Sequence, residues 1–408
     1  MRSLYWQRMD PRADPASLVP LVRGRYQSAV ATLEQLVNQD SGSWSREGVN
    51  RVADLCEARF RATGWAVERL AHEPPPGEAR LGDVVIGRRT GALPVAAGGR
   101  RLLLMAHMDT VFDDGAAAAR PFRVEGGRAH GPGVTDDKAG IVTGFDAVEV
   151  LCDEAGFDAF AEITMVCTPD EEVGSPFSRA VLTRLAGEHD AGIGLEAART
   201  DGSLVTARKG ISAFAIDVVG KAVHAGVRPE RGVNAALEAA RKAVALQELN
   251  GRWQGVTCNV GVIRAGTRPN VVAEHAHLEV DLRAVTTAAF DVAAAAVEEI
   301  AATSFVPGTS ATLRAVHRHL PMERTEAIGA LLAEAQRVAA ALGFEVGEQA
   351  TGGAGDANTT ATAGLPTIDG FAPIGGDAHG PREWLDLGSV VPRTALLAGF
   401  LARLGSNG

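Results

Sequence analysis

The sequence predicts an α/β protein: a catalytic domain with a largely parallel mixed sheet flanked by helices, interrupted by an inserted ferredoxin-like domain. In the first half, short apolar runs alternate with helical stretches, as in sheets built from βα units. After Gly210 the pattern changes to βαββαβ. A chain of 408 residues suggests two or three domains of about 150 residues each. We therefore predict a catalytic domain over 1–210 and 321–408 and an inserted domain over 211–320.

The predicted catalytic domain begins with helices and continues with strands. Apolar residues recur at helical spacing from about Ser17 to Gly64, interrupted by the loop DSGSWSREG. The strands that follow read WAVERL, DVVIG, RLLLMAH, AEITMVC and AGIGLE, with helices over Lys138–Cys152 and Phe177–Gly187. After the insertion, a helix over Glu326–Leu342 and a glycine-rich tail rejoin this domain.

The inserted domain contains four predicted strands and two predicted helices. The strands read ISAFAIDVVG, VTCNVGVIRAG, HAHLEVDLRAV and SATLRAVHRH. A helix follows the first strand and another follows the third, which gives the βαββαβ order of a ferredoxin-like unit.

Composition narrows the classes of partner. The net charge of −10 argues against a nucleic-acid partner, which requires a basic face. The apolar runs fall short of the roughly 20 residues that a membrane span needs, and the N-terminus lacks the apolar core of a secretion signal. The four cysteines are widely spaced, without a CxxC pair, so we expect buried thiols. We expect a cytoplasmic protein that binds neither nucleic acid nor membrane.

Acidic and imidazole side chains follow the predicted strands of the catalytic domain. RLLLMAH ends at His107, AGIGLE ends at Glu196, AEITMVC leads into Asp170, Glu171 and Glu172, and the loop GPGVTDDKAG contains Asp136 and Asp137. Ligands bind outside the carboxyl ends of strands in open α/β sheets. Carboxylates gathered in a cleft raise one another's pKa unless cations balance them. Imidazole and carboxylate together suit zinc or a similar metal.

The spacing of these residues leaves several roles open. Neighbours in an extended segment point in opposite directions, so one of Glu171 and Glu172 could bind a metal while the other acts as a base. Asp109 lies two residues after His107 and either orients its imidazole or serves as a turn residue. Asp136 either bridges two metals or, like Asp137, caps the following helix.

Seven motifs together resemble the M20 metallopeptidase family, and most closely its glutamate carboxypeptidase branch. They are HMDTVF, GPGVTDDKAG, TPDEEVGS, GLE ending at Glu196, GKAVHAG, TGGAGDAN and GGDAHGP. The likeness extends in order from about Leu33 to the C-terminus. It implies a metal-dependent hydrolase with two Zn²⁺ ions, with Co²⁺ or Mn²⁺ as alternatives.

The resemblance also implies roles for individual residues. Asp136 would bridge the two ions, with His107 and Glu196 on one and Glu172 and His379 on the other. Asp109 would orient His107. Glu171 would be the general base that takes a proton from a metal-bridging water and passes it to the leaving amine.

The inserted domain would act as a lid and a dimerisation surface, which implies a homodimer. His224 would reach a partner subunit's site and stabilise the oxyanion; alone, it could equally be a surface histidine. Arg283 and Asn270 match family positions that bind the substrate's terminal carboxylate. Lys209 lies near the junction of the domains, and Gly353 would allow the backbone to approach the substrate.

The predicted reaction is hydrolysis of an amide bond next to a free carboxylate, in a small peptide or N-acyl amino acid. The alternative is a deacylase of the acetylornithine or succinyl-diaminopimelate type, which would use the same metal ligands. A metal-dependent binding protein without activity is a third possibility, but it predicts loss of the base or of a ligand. Glu171 and the full candidate ligand set are present.

Overall fold

A computed structural model describes residues 13–405, which form two compact units. The first contains 1–206, 324–349 and 355–408 as far as they are described, and the second contains 207–323 and 350–354. The chain thus enters the second unit at 207 rather than 211 and leaves it at 323 rather than 320. The N-terminal segment that bears on secretion, residues 1–12, lies outside the described residues.

A short segment of the predicted catalytic domain belongs to the second unit instead. Residues 350–354, which include Gly353, cluster with that unit. The reason is hydrogen bonding: the backbone N–H of Lys209 donates to the Thr351 carbonyl at 3.0 Å, and Arg283 Nη1 donates to the Gly352 carbonyl at 2.8 Å.

The helices and strands are numbered in chain order. The helices are α1 (Pro15–Val37), α2 (Arg46–Ala62), α3 (Ala116–Ala119), α4 (Lys138–Glu149), α5 (Ser178–Ala186), α6 (Ala235–Gln247), α7 (Thr287–Ala302), α8 (Glu326–Ala341), α9 (Asp356–Thr362) and α10 (Val390–Leu404). The strands are β1 (Ala66–Leu70), β2 (Val84–Thr90), β3 (Arg101–His107), β4 (Arg123–Glu125), β5 (Arg128–His130), β6 (Glu162–Thr168), β7 (Ala191–Gly194), β8 (Ala197–Ala198), β9 (Leu204–Arg208), β10 (Gly210–Val219), β11 (Thr257–Ala265), β12 (His275–Ala284), β13 (Ser310–His319), β14 (Glu348–Thr351), β15 (Thr367–Ile368), β16 (Ala372–Gly376) and β17 (Trp384–Asp386).

The main sheet of the first unit has six strands in the order β1-β2-β6-β3-β7-β15. The four strands β6, β3, β7 and β15 are parallel, and β1 and β2 extend the sheet in antiparallel fashion. The prediction of a largely parallel mixed sheet flanked by helices is confirmed. All four parallel strands end at the same edge.

Both faces of this sheet are covered, which explains why its central strands are continuously apolar. Alternate side chains of β3 enter different cores: Leu102 and Leu104 pack in the larger core with α1, α4 and α10, whereas Leu103 and Met105 pack against α5. Because every residue of β3 after Arg101 is buried, the direction in which the chain leaves the strand at His107 is fixed.

A second, smaller sheet in the first unit has the order β4-β5-β17-β16-β8. Its strands are two to five residues long, too short to show as periodicity in the sequence. Asp136 follows β5, Glu196 precedes β8, and His379 lies between β16 and β17. This sheet therefore determines the positions of three residues that sequence motifs singled out.

The second unit is a four-stranded antiparallel sheet, in the order β11-β12-β10-β13, with two helices. Its element order is βαββαβ. The inward side chains of β10 and β12 form one core with α6 and α7, which includes Phe214, Leu278 and Phe290.

The window Leu387–Leu404 is long and apolar enough to cross a membrane by length and composition, with a mean hydropathy of 1.3. In the structure, 78% of this window is buried, and α10 packs against α1, α4 and α8. It is a core helix of the first unit.

The Lys242 side chain, on α6, connects this helix to the end of α7. Its side chain is 1% exposed and lies 3.0 Å from the Glu238 carboxylate. Nζ also donates to the carbonyls of Ile300 and Ala301 at 2.9 Å, at the end of α7. These bonds satisfy carbonyls that the helix end leaves without partners.

We expect Lys242→Ala to lower the free energy of unfolding by about 3–5 kcal/mol, because it removes the only cation, among the described residues, that is paired with the buried Glu238 carboxylate and leaves several buried carbonyls unpaired. Glu238 would keep only the N–H donors of Phe305 and Val306. Urea unfolding followed by circular dichroism would measure the change. The exposed Lys221 provides a matched control, since Lys221→Ala removes the same side chain from the surface of the same unit. Equal stabilities of the two variants would contradict this role of Lys242.

Candidate metal centre

Three parallel strands carry functional side chains to one edge of the main sheet. His107 is the last residue of β3, is 2% exposed, and pairs in register with Thr168 at the end of β6. A single 3-10 turn, Glu171–Val173, follows β6. Glu196 lies two residues after the end of β7.

Asp136 lies between two imidazoles. Its Oδ1 is 2.9 Å from His107 Nε2, and its Oδ2 is 3.2 Å from His379 Nε2. The two carboxylate oxygens therefore face different histidines. A carboxylate in this position can bridge two cations.

Each histidine has a further carboxylate beside it. Glu196 Oε1 is 3.7 Å from His107 Nε2, and Glu172 Oε2 is 3.0 Å from His379 Nε2. We call the five residues His107, Asp136, Glu172, Glu196 and His379 the metal-centre cluster. Within it, Asp136 contacts both histidines, and each histidine has one further carboxylate beside it.

Glu171 and Glu172 differ in their surroundings. They lie in a turn rather than in an extended segment, so the alternation that predicted opposite directions does not apply. Glu172 contacts His379. Glu171 can bring an oxygen within 4.8 Å of ligand atoms of His107 and Glu196.

Asp109 connects the histidine to the acidic turn. His107 Nδ1 donates to the Asp109 carbonyl at 3.1 Å, which leaves Nε2 unprotonated in the neutral ring. The Asp109 carboxylate, fully buried, accepts from the backbone N–H groups of Glu171 and Glu172, both at 3.1 Å, and from Ser43 Oγ at 2.7 Å. Asp109 thus holds His107 through its backbone carbonyl and the acidic turn through its carboxylate. Its Oδ1 also lies 3.3 Å from His107 Nδ1, the contact by which carboxylates orient metal-binding histidines.

Asp137 does not cap α4: it is the residue before the helix, but its side chain makes no capping bond. Its Oδ2 instead accepts from the backbone N–H of His107 at 3.3 Å. The side chain of Asp136 faces the two histidines. The structure therefore contradicts the alternative in which Asp136 or Asp137 caps α4.

The cluster concentrates negative charge. Burial, with Glu196 and Glu172 nearby, raises the pKa of Glu171 well above its usual range. Hydrogen bonds to Asp136 and Glu172 raise the pKa of His379 to about 10. Burial disfavours the charged form of His107, but hydrogen bonds to Asp109 and Asp136 outweigh it and raise that pKa too. The raised pKa values mean that these groups hold protons more tightly, because each proton brings positive charge to the cluster. Divalent cations supply that positive charge at such sites.

The donor set fits first-row metal ions. Imidazole nitrogen and carboxylate oxygen are ligands of zinc and of related metals. Two groups of three donors, one of His107, Asp136 and Glu172 and the other of His107, Glu171 and Glu196, have ligand atoms within 4.8 Å of one another.

Comparison with known proteins assigns the family. The sequence pattern of peptidase family M20/M25/M40 matches residues 103–403. The chain belongs to this family. Carboxypeptidase G2 of Pseudomonas sp. (strain RS-16) is 30% identical over 383 residues, which cover 93% of this chain and 90% of that protein.

Solved structures share the fold. Aminopeptidase PepT from Bacillus cereus aligns with a TM-score of 0.76 at 21% identity, over 93% of this chain and 98% of that one. An M20 family metallo-carboxypeptidase from Sulfolobus solfataricus aligns with a TM-score of 0.69 at 15% identity, over 92% and 98%. The M20 chain is thus a metal-dependent peptidase or amidohydrolase.

Some supporting residues of the M20 site were not predicted. Glu383, 2% exposed, accepts from the backbone N–H groups of Gly133 and Thr135, both at 2.9 Å, and of Asp136 at 3.2 Å. It therefore holds the loop that presents Asp136. Burial raises the pKa of Glu383 to about 7, although the N–H donors favour its charged form. In the sequence, Glu383 is only an acid four residues after His379. Its role depends on the pairing of β17 with β5, which the local sequence does not indicate.

Two further acids hold the turn after β6. Asp356 accepts from Ser175 Oγ and Thr168 Oγ1, both at 2.6 Å. Asp170, fully buried, accepts from the backbone N–H of Phe177 at 2.6 Å, just before α5. The first acid of the DEE triplet is thus a structural residue of the loop.

His379 lies on an ordered turn of the M20 chain. Its φ is 62°, and the N–H of Gly380 donates to the Asp377 carbonyl at 3.1 Å. Arg120 Nη1 donates to the Gly380 carbonyl at 3.3 Å. The imidazole is 55% exposed but contacts both Asp136 and Glu172.

The remaining predicted residues belong to the second unit and fall into two groups. Lys209, Arg283 and Gly353 lie at one end of its sheet, where β10 begins and β12 ends. The Arg283 guanidinium already contacts Asp281, at 2.8 Å, and the Gly352 carbonyl.

His224 and Asn270 form the other group, at the opposite end of the sheet. His224 pairs with Val271, and the N–H of Ala225 donates to the Asn270 carbonyl at 2.9 Å. Ten paired residues of β10 and β12 separate the two groups, which corresponds to roughly 30 Å at 3.4 Å per residue. Asn270 and Arg283 of one chain therefore cannot bind the same carboxylate at the same time.

We expect Glu383→Gln to weaken zinc binding by about 10–100-fold, because the amide keeps only one of the two acceptor oxygens that hold the loop carrying Asp136. Competition against a chromophoric chelator would measure the affinity, and the visible spectrum of the Co²⁺-loaded protein would report ligand geometry. Glu345→Gln, at an exposed position of the same unit, is the matched control. Unchanged zinc affinity and an unchanged Co²⁺ spectrum would contradict this role.

Proposed function

We propose that the protein is a di-zinc carboxypeptidase of the glutamate carboxypeptidase type, which cleaves an amide bond next to a free carboxylate. The observation that carries this proposal is the position of Asp136 between His107 and His379. His107, Asp136 and Glu196 would hold one ion, and His379, Asp136 and Glu172 the other. When bound, the ions supply Lewis acidity and lower the pKa of water towards 7.

The residues of this chain would then move the protons. Glu171 takes a proton from the attacking water and passes it to the leaving nitrogen. Its raised pKa suits a group that must hold that proton between the two steps. Glu172 faces His379 and is the ligand rather than the base.

His224 is suited to donate a hydrogen bond to the oxyanion. Its Nδ1 accepts from the backbone N–H of Gly226 at 3.1 Å, so the neutral ring carries its proton on Nε2. The side chain is exposed, and a donor that meets a developing negative charge stabilises it.

The protein would act as a homodimer through its second unit. Strand β11 is at the edge of the sheet. The side chains of Gln247 and Asn250 already bond its backbone at Cys258 and Val260, so pairing with a second copy would use the later part of the strand. Beside it, α6 exposes Leu237 and Val244, and β11 exposes Ile263.

His224 and Asn270 lie far from Arg283 within one chain. In a dimer, each site could take Arg283 from one chain and His224 and Asn270 from the other.

The substrate class follows from the carboxylate-binding candidates. Arg283 and Asn270 would hold the substrate's terminal carboxylate, supported by Lys209 and by the backbone at Gly353. Peptide and amino-acid substrates are consistent with the family. The comparisons do not favour the deacylase alternative.

We expect Glu171→Gln to lower kcat by about 10²–10⁴-fold, the usual contribution of a general base. Zinc content should persist, because the five ligands are intact. Steady-state kinetics on N-acyl-glutamates and elemental analysis would measure the two effects. Glu298→Gln, at an exposed site, is the control. Retained turnover in the Glu171 variant would show that another group is the base.

We expect two inactive variants to restore activity when mixed. In a dimer of one Glu171→Gln chain and one His224→Ala chain, one of the two sites would have both an intact base and the partner's intact histidine. Because half of randomly mixed dimers are hybrids, about a quarter of wild-type activity should return. The measurement is activity after unfolding and joint refolding. No recovery above the separate variants, with hybrid dimers detected by mass spectrometry, would rule out the trans role of His224.

A further inference from the structure

The turn that carries His379 has few connections to the rest of the first unit. This His379 turn consists of residues 377–382, between β16 and β17. Within the part of the chain that the structure describes, one side chain from another segment bonds to its backbone: Arg120 Nη1 donates to the Gly380 carbonyl at 3.3 Å. The other links from the turn to distant segments are the contacts of the His379 imidazole itself, with Asp136 and Glu172.

His379 depends on its turn more than the other histidine of the cluster depends on its strand. His107 is 2% exposed and ends a buried strand, whereas His379 is 55% exposed. Asp377 and His379 have φ values of 54° and 62°, in the left-handed region that residues other than glycine rarely adopt. Such a backbone persists only where its surroundings hold it. The turn therefore needs a contact from outside.

The segment that supplies Arg120 is itself fixed. Arg120 directly follows α3. The Asp40 carboxylate accepts from two backbone N–H groups at the start of this helix, both at 2.8 Å. Two residues after Arg120, the N–H of Phe122 donates to Asn38 Oδ1 at 2.9 Å. The loop after α1 thus holds the chain on both sides of Arg120, so the base of its side chain has a defined position.

The guanidinium of Arg120 is held between two groups. It lies 4.4 Å from the centroid of the Phe112 ring, and the face of an aromatic ring attracts a cation. Its Nη1 donates to the Gly380 carbonyl, which also accepts from the N–H of Glu383 at 3.4 Å. The ring fixes the guanidinium in the direction of the turn, and the hydrogen bond connects it to the residue next to His379.

We propose that Arg120 is a positioning residue for His379 and for the metal ion that His379 and Glu172 would hold. By binding the carbonyl that follows His379, it keeps an exposed imidazole at 3.2 Å from Asp136 and 3.0 Å from Glu172. The ion held by His107 does not depend on this contact. This inference rests on the proposed function, because it concerns one of the two proposed ions.

Loss of the guanidinium has two possible effects on metal binding, and they have opposite signs. A fixed cation repels a divalent metal ion, so removal of its charge alone would tighten binding of both ions. Loss of positioning would instead weaken binding, and only of the ion that His379 holds. The direction of the change therefore distinguishes a positioning role from a purely electrostatic one.

The test is zinc affinity, measured by competition against a chromophoric chelator. We expect Arg120→Ala to weaken one of the two zinc ions by about 10–100-fold, the usual cost of losing a group that orients a ligand, and to change the visible spectrum of the Co²⁺-loaded protein. Arg123→Ala, at an exposed position of β4, should change neither. Unchanged affinity, tighter binding, or equal weakening of both ions would overturn the proposal.

A double variant identifies which ion is affected. His379→Ala should weaken one ion, and adding Arg120→Ala in that background should cause no further loss, because residues that act through one another are not additive. Full additivity of the two losses would overturn the proposal, since Arg120 would then act independently of His379.

Hydrogen exchange of the zinc-free protein separates this inference from the proposed reaction. The amides of Gly380 and Glu383 should exchange faster in Arg120→Ala, because the turn opens more often, whereas those of β3 should exchange as in the wild type. If this occurs but the wild type binds fewer than two ions, the positioning role stands and the proposed di-zinc site fails. If two ions bind and neither exchange nor affinity depends on Arg120, the di-zinc site stands and the positioning role fails.

Discussion

Repulsion among buried carboxylates is the constraint on which the first unit depends. Asp136, Glu171, Glu172 and Glu196 lie around two imidazoles, and burial raises the pKa of both Glu171 and Glu172. Such an arrangement is stable only where positive charge or N–H donors balance it. Two further buried carboxylates beside the cluster are satisfied by N–H donors: Asp109 accepts from the acidic turn, and Glu383 accepts from the Asp136 loop. The four cluster carboxylates face two imidazoles, and the cations proposed above would neutralise the rest of their charge.

The parts of the fold that the sequence predicted are those with strong local signals. The runs RLLLMAH and AEITMVC are buried on both faces, so they read as continuous apolar strands, and the structure pairs them in parallel from Arg101 to His107. Because parallel strands end at one edge, the convergence of His107 and the acidic turn could be inferred without any structure. Spacing left open which of Glu171 and Glu172 would bind a metal. In the structure Glu172 contacts His379, whereas Glu171 lies near His107 and Glu196.

The parts that the sequence did not predict depend on contacts between distant segments. The five-stranded sheet joins β4 and β5 to strands more than 240 residues later, through pairings such as Trp384 with His130, and strands of two to five residues have no usable period. Glu383 contacts Gly133 across 250 positions. Residues 350–354 joined the second unit because two backbone carbonyls accept from Lys209 and Arg283. None of these contacts leaves a pattern in the local sequence.

The second unit shows how sheet geometry limits what one chain can do. A pair of ten-residue strands separates His224 and Asn270 from Lys209 and Arg283, and a regular antiparallel sheet does not shorten that distance by changing side-chain rotamers. The core of the second unit, which includes Phe214, Leu278 and Phe290, packs against this sheet and holds the two groups at that separation. If both groups contact one substrate, they must come from two copies of the chain. The requirement for a second copy would then follow from strand length alone.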